Sequence, residues 1–198
     1  MLNSESNKAH GKLWQPSQLR LARSGDLETL LLLYRRVIEW MDASGLHLWS
    51  SEGVTCAWLT EAISADALVT LEIGGSMAAA IYVDDKASAY WPSEGANDYL
   101  YARRLCVHPQ WHGRGLGRAL LEHLVDTCRH SGKAGLRFDC ADRMRLVRYY
   151  ESLGFRTVGH GTDVNYHYSL QERLVRPGSA ITSRSPAQHR ADQGHPDE

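Results

Sequence analysis

The chain has 198 residues, 43% of them hydrophobic and 23% charged, the balance of one ordinary globular domain with some tail. Lys and Arg number 22 against 23 Asp and Glu, a formal net charge of −1, which argues against a polycation working on nucleic acid. No apolar run approaches the roughly 20 residues of a membrane span, and the opening MLNSESNKAHGK lacks the apolar stretch of a secretory signal. Cysteines stand at 56, 106, 128 and 140 with no C-x-x-C pair. Neither a zinc site nor a disulfide framework is expected; reduced thiols in a cytoplasmic protein are.

Residues 1–16 are polar and lack apolar periodicity, and 177–198 are rich in Pro, Gly and Ser. Such segments bury too little to offset their ordering entropy. The expected organisation is a flexible tail over 1–16, a domain over 17–172 and a second tail over 173–198. Gln18–Arg23 alternates and predicts a strand. Leu27, Leu30, Leu31, Tyr34, Val37, Ile38 and Met41 recur at helical steps, with Ser24 or Asp26 as cap and Gly45 beyond the end. A shorter helix fits Val54–Ile63. Strands at Leu68–Ile73 and Met77–Val83 flank a Gly74-Gly75 hairpin turn. Lys86–Asn97 is a loop and Tyr99–Val107 a strand. Leu116–Cys128 is a helix, Leu136–Cys140 a strand, and Met144–Leu153 a helix closed by Gly154. Arg156–His160 and Asn165–Leu170 finish as strands. The string predicts an α/β (α+β) fold with a mixed sheet and helices on its faces.

The informative stretch is Leu105-Cys106-Val107-His108-Pro109-Gln110-Trp111-His112-Gly113-Arg114-Gly115-Leu116-Gly117-Arg118. A strand enters a glycine-rich loop that opens into a helix. Alternate glycines let a ligand approach the backbone. The first N–H groups of a helix have no internal partners and carry partial positive charge. Together they make a cradle for a phosphate or pyrophosphate, with Arg114 and Arg118 at its rim. A plain turn needs only one residue with positive φ. A P-loop would need Lys-Ser or Lys-Thr after the glycines, and neither occurs here. A dinucleotide fingerprint would need glycine where Leu120 stands, although Asp139 sits about where a ribose-binding acid is expected.

His112-Gly113-Arg114-Gly115-Leu116-Gly117 resembles the [Q/R]-x-x-G-x-[G/A] motif of the GNAT superfamily of N-acetyltransferases. Leu105–Pro109 resembles that family's central-strand signature, and Arg148-Tyr149-Tyr150-Glu151-Ser152-Leu153-Gly154-Phe155 its later Y-E-x-x-G-F motif. Leu19-Arg20-Leu21-Ala22 with Asp26-Leu27 is similar to its opening. The resemblance covers roughly residues 18 to 172. It implies a GNAT-like, mixed and mostly antiparallel central sheet of about six or seven strands flanked by about four helices. It implies acetyl-CoA, or a related acyl-CoA, as donor, and no metal. It places the backbone of Gly113 to Arg118 on the pyrophosphate, the edge of Leu105, Cys106 and Val107 along the pantetheine, and the Tyr150 hydroxyl where the departing thiolate is protonated. Tyr150 also lies on one stripe with Leu146 and Leu153, which suits a core aromatic.

Two residues depart from the family pattern. His112 replaces Gln or Arg, and Arg143 stands where many members have Asn; Arg143 pairs with a phosphate or is merely surface. For a general base the sequence offers Asp98 and, in the loop before it, Glu94. The stretch Trp40–Trp49, with Tyr90 and Trp91, marks an aromatic acceptor side suited to a small, partly apolar amine. The expected activity is acetyl transfer to a primary amine of a small molecule by direct attack. The rival is an acyl-CoA-binding module that senses rather than turns over. No nucleic-acid or membrane partner is expected; a homodimer is admitted.

Overall fold

The structure is a computed structural model and describes residues 18–93, 95–163 and 167–175. The tails beyond them, Glu94 and the first residues of the predicted strand at 165–170 lie outside the described residues. In chain order the elements are β1 (Leu19–Leu21), α1 (Leu27–Ala43), α2 (Cys56–Ser64), β2 (Leu68–Ile73), β3 (Ser76–Asp84), β4 (Tyr99–Val107), α3 (Leu116–His130), β5 (Gly135–Ala141), α4 (Met144–Ser152), β6 (Arg156–Thr162) and β7 (His167–Leu174).

Local chemistry sets most boundaries. Gly74 and Gly75 both take positive φ, +59° and +79°, as a tight hairpin between β2 and β3 requires. Thr55 caps α2, its Oγ1 accepting the Trp58 N–H at 3.1 Å. Gly154, at φ +81°, ends α4. There the Phe155 N–H reaches the Tyr150 carbonyl at 3.2 Å and the Gly154 N–H the Glu151 carbonyl at 2.9 Å, a Schellman closure. Asp26 stands at the α1 N-cap position but makes no side-chain cap bond. Its carboxylate instead accepts from Arg20, at 2.6 Å, and from the Arg23 N–H, at 2.7 Å, which ties β1 to the start of α1. The last strand is longer than its alternation suggested. It pairs out to Leu174, and Val175 beyond it is buried.

The seven strands form one sheet in the order β1-β2-β3-β4-β5-β7-β6. Every neighbouring pair is antiparallel except β4 and β5. One face packs α3 and α4 through Leu120, Leu124, Val125, Phe138, Tyr150 and Phe155. The other packs α1 and α2 through Leu30, Leu33, Tyr34, Leu59, Ala80 and Cys106. The amphipathic helices find these faces because each carries one apolar stripe.

The central parallel pair is zipped at one end only. Tyr99, Leu100 and Tyr101 pair with Gly135, Leu136 and Arg137, and pairing stops there. Arg137 holds the closed end: its guanidinium lies 3.3 Å from the Tyr99 ring centroid of β4 and bonds Glu172 of β7 at 2.7 Å. Beyond it β4 bulges. Ala80 opposes Cys106 while Tyr82 opposes Arg103, and Arg104 takes φ +52°. An extra residue on one strand bends it from its neighbour. The carboxyl halves of β4 and β5 thereby part.

Candidate active site

The parted strands open a cleft of about 1210 Å³. Its rim is the start of α3. Gly113 and Gly115 take φ +74° and +79°, and a Cβ on either would meet nothing within 4 Å. Gly115 is the N-cap and offers no side-chain acceptor, and no acid stands in the first turn. The opening N–H groups of α3 are therefore left without a protein cap, with the dipole's positive end beside them. Gly117 is different. A Cβ there would meet the Tyr149 hydroxyl at 3.2 Å and Leu105 and Val107 close behind, so its lack of side chain lets α3 sit against β4 and α4.

Three of the predicted groups converge on this cleft: the β4 edge Leu105–Val107, the loop residues His112 and Gly113, and the start of α3 from Gly115 to Arg118. Arg114 does not line it; its guanidinium sits 5.0 Å from the Trp111 ring. His112 positions the loop. Its Nε2 donates to the Val107 carbonyl at 2.9 Å, and its ring meets Trp40 edge-on at 4.5 Å. Arg143, exposed at the start of α4, donates to the Leu46 carbonyl at 3.3 Å. It thus bridges from α4 to the segment after α1, along the cleft wall.

Tyr150 lines the cleft and is 8% exposed. It packs on Phe138 at 4.6 Å and Tyr149 at 5.2 Å. Its hydroxyl has no hydrogen-bond partner among the described residues. Burial pushes the phenol far above its ordinary value, so it remains protonated throughout the neutral range. The thiols of Cys106 and Cys140, in the same lining, are pushed up to about 12 and about 11, again by burial first. Tyr149 is more exposed, at 39%, and is raised by burial with Arg118 opposing.

Asp98 does not join this group. It stands before β4 at the zipped end, its carbonyl accepting the Ala134 N–H at 2.6 Å, and it is absent from the cleft lining. The carboxylate in the lining is Asp139 of β5, which accepts from Ser88 Oγ at 3.4 Å. The sequence carried its signal: Leu136, Phe138 and Cys140 alternate onto the core face, so Asp139 points to the opposite one. On that side the wall includes Trp40, Met41, Leu48, Trp49 and Tyr90. Trp91 is not part of it. It is buried at the closed end, 6.0 Å from Tyr101 and under Arg137 at 4.8 Å, because that guanidinium draws aromatic faces around it.

The fold and cleft define the class: a mixed α/β protein with a half-open parallel pair and an uncapped helix start at the rim. Residues 65–157 match the family model of the acetyltransferase (GNAT) domain. Over 73 residues it is 36% identical to [ribosomal protein bS18]-alanine N-acetyltransferase of Salmonella typhimurium, a match covering 36% of this chain and 49% of that protein. Over 69 residues it is 39% identical to L-methionine sulfoximine/L-methionine sulfone acetyltransferase of the same organism, covering 33% and 39%. The chain thus spans half or less of the length of these curated relatives. The structure of YncA from Salmonella typhimurium with its cofactor acetyl-CoA superposes with a TM-score of 0.60 at 20% identity, covering 90% of this chain and 96% of that one. Among the described residues no helix is long and apolar enough to cross a membrane.

Proposed function

We propose that the chain is an N-acetyltransferase that moves the acetyl group of acetyl-CoA to a primary amine of a small molecule by direct attack. The observation that carries this is the pair of open glycines before α3, set at the rim of the cleft that β4 and β5 leave between them. A Cβ on Gly113 or Gly115 would project into free space rather than protein, which suits a cradle that a diphosphate fills. In this role the backbone from Gly113 to Arg118 takes the pyrophosphate, Arg118 and Arg143 add positive charge, and the edge of Leu105–Val107 takes the pantetheine. Acetyl-CoA supplies an activated acyl carbon and a thiolate leaving group.

The chain's own residues supply the proton transfers. The amine nitrogen bonds the acyl carbon as the carbon–sulfur bond breaks. Tyr150 gives its proton to the sulfur, and Asp139, directly or through water, takes the proton the amine loses. A raised phenol is a poor donor to an ordinary thiolate. The same burial raises sulfur acids in this cleft, pushing the thiols of Cys106 and Cys140 up to about 12 and about 11; this narrows the gap to the phenol, and coupling the transfer to carbon–sulfur cleavage drives the rest. Those two values also favour direct transfer, because neither cysteine is a thiolate nucleophile near neutrality. The aromatic acceptor wall with its single carboxylate suits a small, partly apolar amine.

The four cysteines are free, Cys56 exposed among them, which fits the reducing cytoplasm as the working compartment. Steady, amine-dependent thiol release from acetyl-CoA across a panel of small amines supports the proposal. Tight CoA binding with no amine-dependent release from any of them overturns it in favour of a binding module.

A further inference from the structure

Arg104, the residue at which β4 bulges, carries a charge the protein does not balance. The other partly buried arginines each meet a carboxylate: Arg20 meets Asp26, Arg103 meets Asp84, Arg137 meets Glu172 and Arg173 meets Glu122. Arg104 meets neutral groups. It donates to the Gly53 carbonyl, and its guanidinium lies 4.1 Å from the Trp58 ring centroid. Among the described residues no carboxylate lies within ion-pair distance of it. Burial lowers its pKa, and only the phenols of Tyr34 and Tyr82 oppose the shift. A desolvated cation without a partner is costly, and its backbone at φ +52° adds strain that a side-chain-bearing residue seldom accepts. The Tyr34 hydroxyl, 3.2 Å from the Arg104 carbonyl, helps hold it there.

The side chain also stands where a ligand can reach it. Arg104 lines both the main cleft and an adjoining pocket of about 210 Å³, walled by Leu48, Trp49, Ser50, Gly53 and Val54. That space suits a small anionic group and not a folded partner. The guanidinium fork matches a carboxylate in two parallel hydrogen bonds. We propose that Arg104 binds a carboxylate carried by the acetyl acceptor, which makes the acceptor a small aminocarboxylate. This rests on the transfer function proposed above.

The test compares the standard L-amino acids with their own α-amides, pair by pair, as acceptors for the wild type, Arg104→Gln and Arg104→Lys. The wild type is expected to prefer at least one acid over its amide by about tenfold or more in kcat/KM. Arg104→Gln should reduce that ratio about tenfold or more, chiefly through KM, and Arg104→Lys should restore part of it. Taking the ratio within a pair cancels the lower basicity of the amide's amine when proteins are compared. Wild-type protein that never prefers the acid overturns the proposal. So does Arg104→Gln protein in which both members of each pair fall by one factor, the signature of a merely structural arginine. If no amine is acetylated, calorimetry of the same pairs on CoA-loaded protein still reads the subsite. Carboxylate-dependent binding that Arg104→Gln abolishes sustains it while the transfer function fails, and equal binding of acid and amide overturns it.

Discussion

Gly115→Ala, set against Gly132→Ala, separates a glycine needed by the chain from a glycine needed by a ligand. Both positions have positive φ, +79° and +69°, and at both a Cβ would meet nothing within 4 Å. Each substitution therefore carries the same backbone penalty, about 1–2 kcal/mol for an L-residue in the left-handed region, and no clash. In a domain of this size that lowers Tm by roughly 2–8 °C. The two differ in place. Gly115 caps α3 at the rim of the cleft, whereas Gly132 follows the far end of the same helix and lies outside the lining. A methyl on Gly115 occupies the space the diphosphate is proposed to fill. Losing one charge-assisted bond there costs about 1.5–3 kcal/mol, or roughly tenfold to a hundredfold in affinity. Melting curves should show equal losses for the two variants, and calorimetry should show weakened CoA binding for Gly115→Ala alone. Equal melting with unchanged affinity in both would refute the cradle.

Tyr150→Phe should lower kcat about a hundredfold or more while CoA affinity stays within about twofold; undiminished turnover would return Tyr150 to a packing role. Because burial raises this phenol, the proton-donor form persists on the alkaline side, and the wild type should keep its turnover up to about pH 10. Iodoacetamide at pH 7.5 should add one label to the folded chain, at exposed Cys56. It should spare buried Cys106, Cys128 and Cys140, which sit at about 12, 11 and 11. Labelling of Cys106 at the rate of Cys56, read by mass spectrometry, would contradict the dry cleft. Asp26→Asn should cost about 1–2 kcal/mol at pH 7, measured by urea unfolding. Arg20 holds this carboxyl below its ordinary value of 3.8, so its stabilisation is present above that value and is lost as pH falls through the lowered one. The gap between wild type and variant should narrow progressively as pH falls below 3.8; a gap that stays constant into the acid unfolding range would mean the carboxylate's charge is not its source.

What the sequence disclosed, and what it hid, follows from the range of each interaction. The alternate glycines from Gly113 to Gly117 and the closure at Gly154 are local devices, and both stand where the residue pattern placed them. Element order was legible for the same reason, since apolar stripes are read within one strand or helix. Arg104 was not legible. Its role depends on a bulge, and a bulge is a mismatch of register between β3 and β4 that neither strand records alone. Asp98 and Asp139 show the limit from the other side. Both are carboxylates on central strands or beside them, but only the splay decides which end is open, and the open end belongs to Asp139. Trp91 was assigned to the acceptor wall because it neighbours Tyr90. Trp91 packs at the closed end instead, against Tyr101 and the Arg137 guanidinium, which Glu172 holds from 35 residues away in sequence.

A crystal structure grown with acetyl-CoA tests the central claim most directly. The diphosphate should rest on the backbone N–H groups between Gly113 and Arg118, with the thioester between the parted ends of β4 and β5. Coenzyme bound elsewhere on the surface, or a cleft that stays empty at millimolar coenzyme, would contradict it.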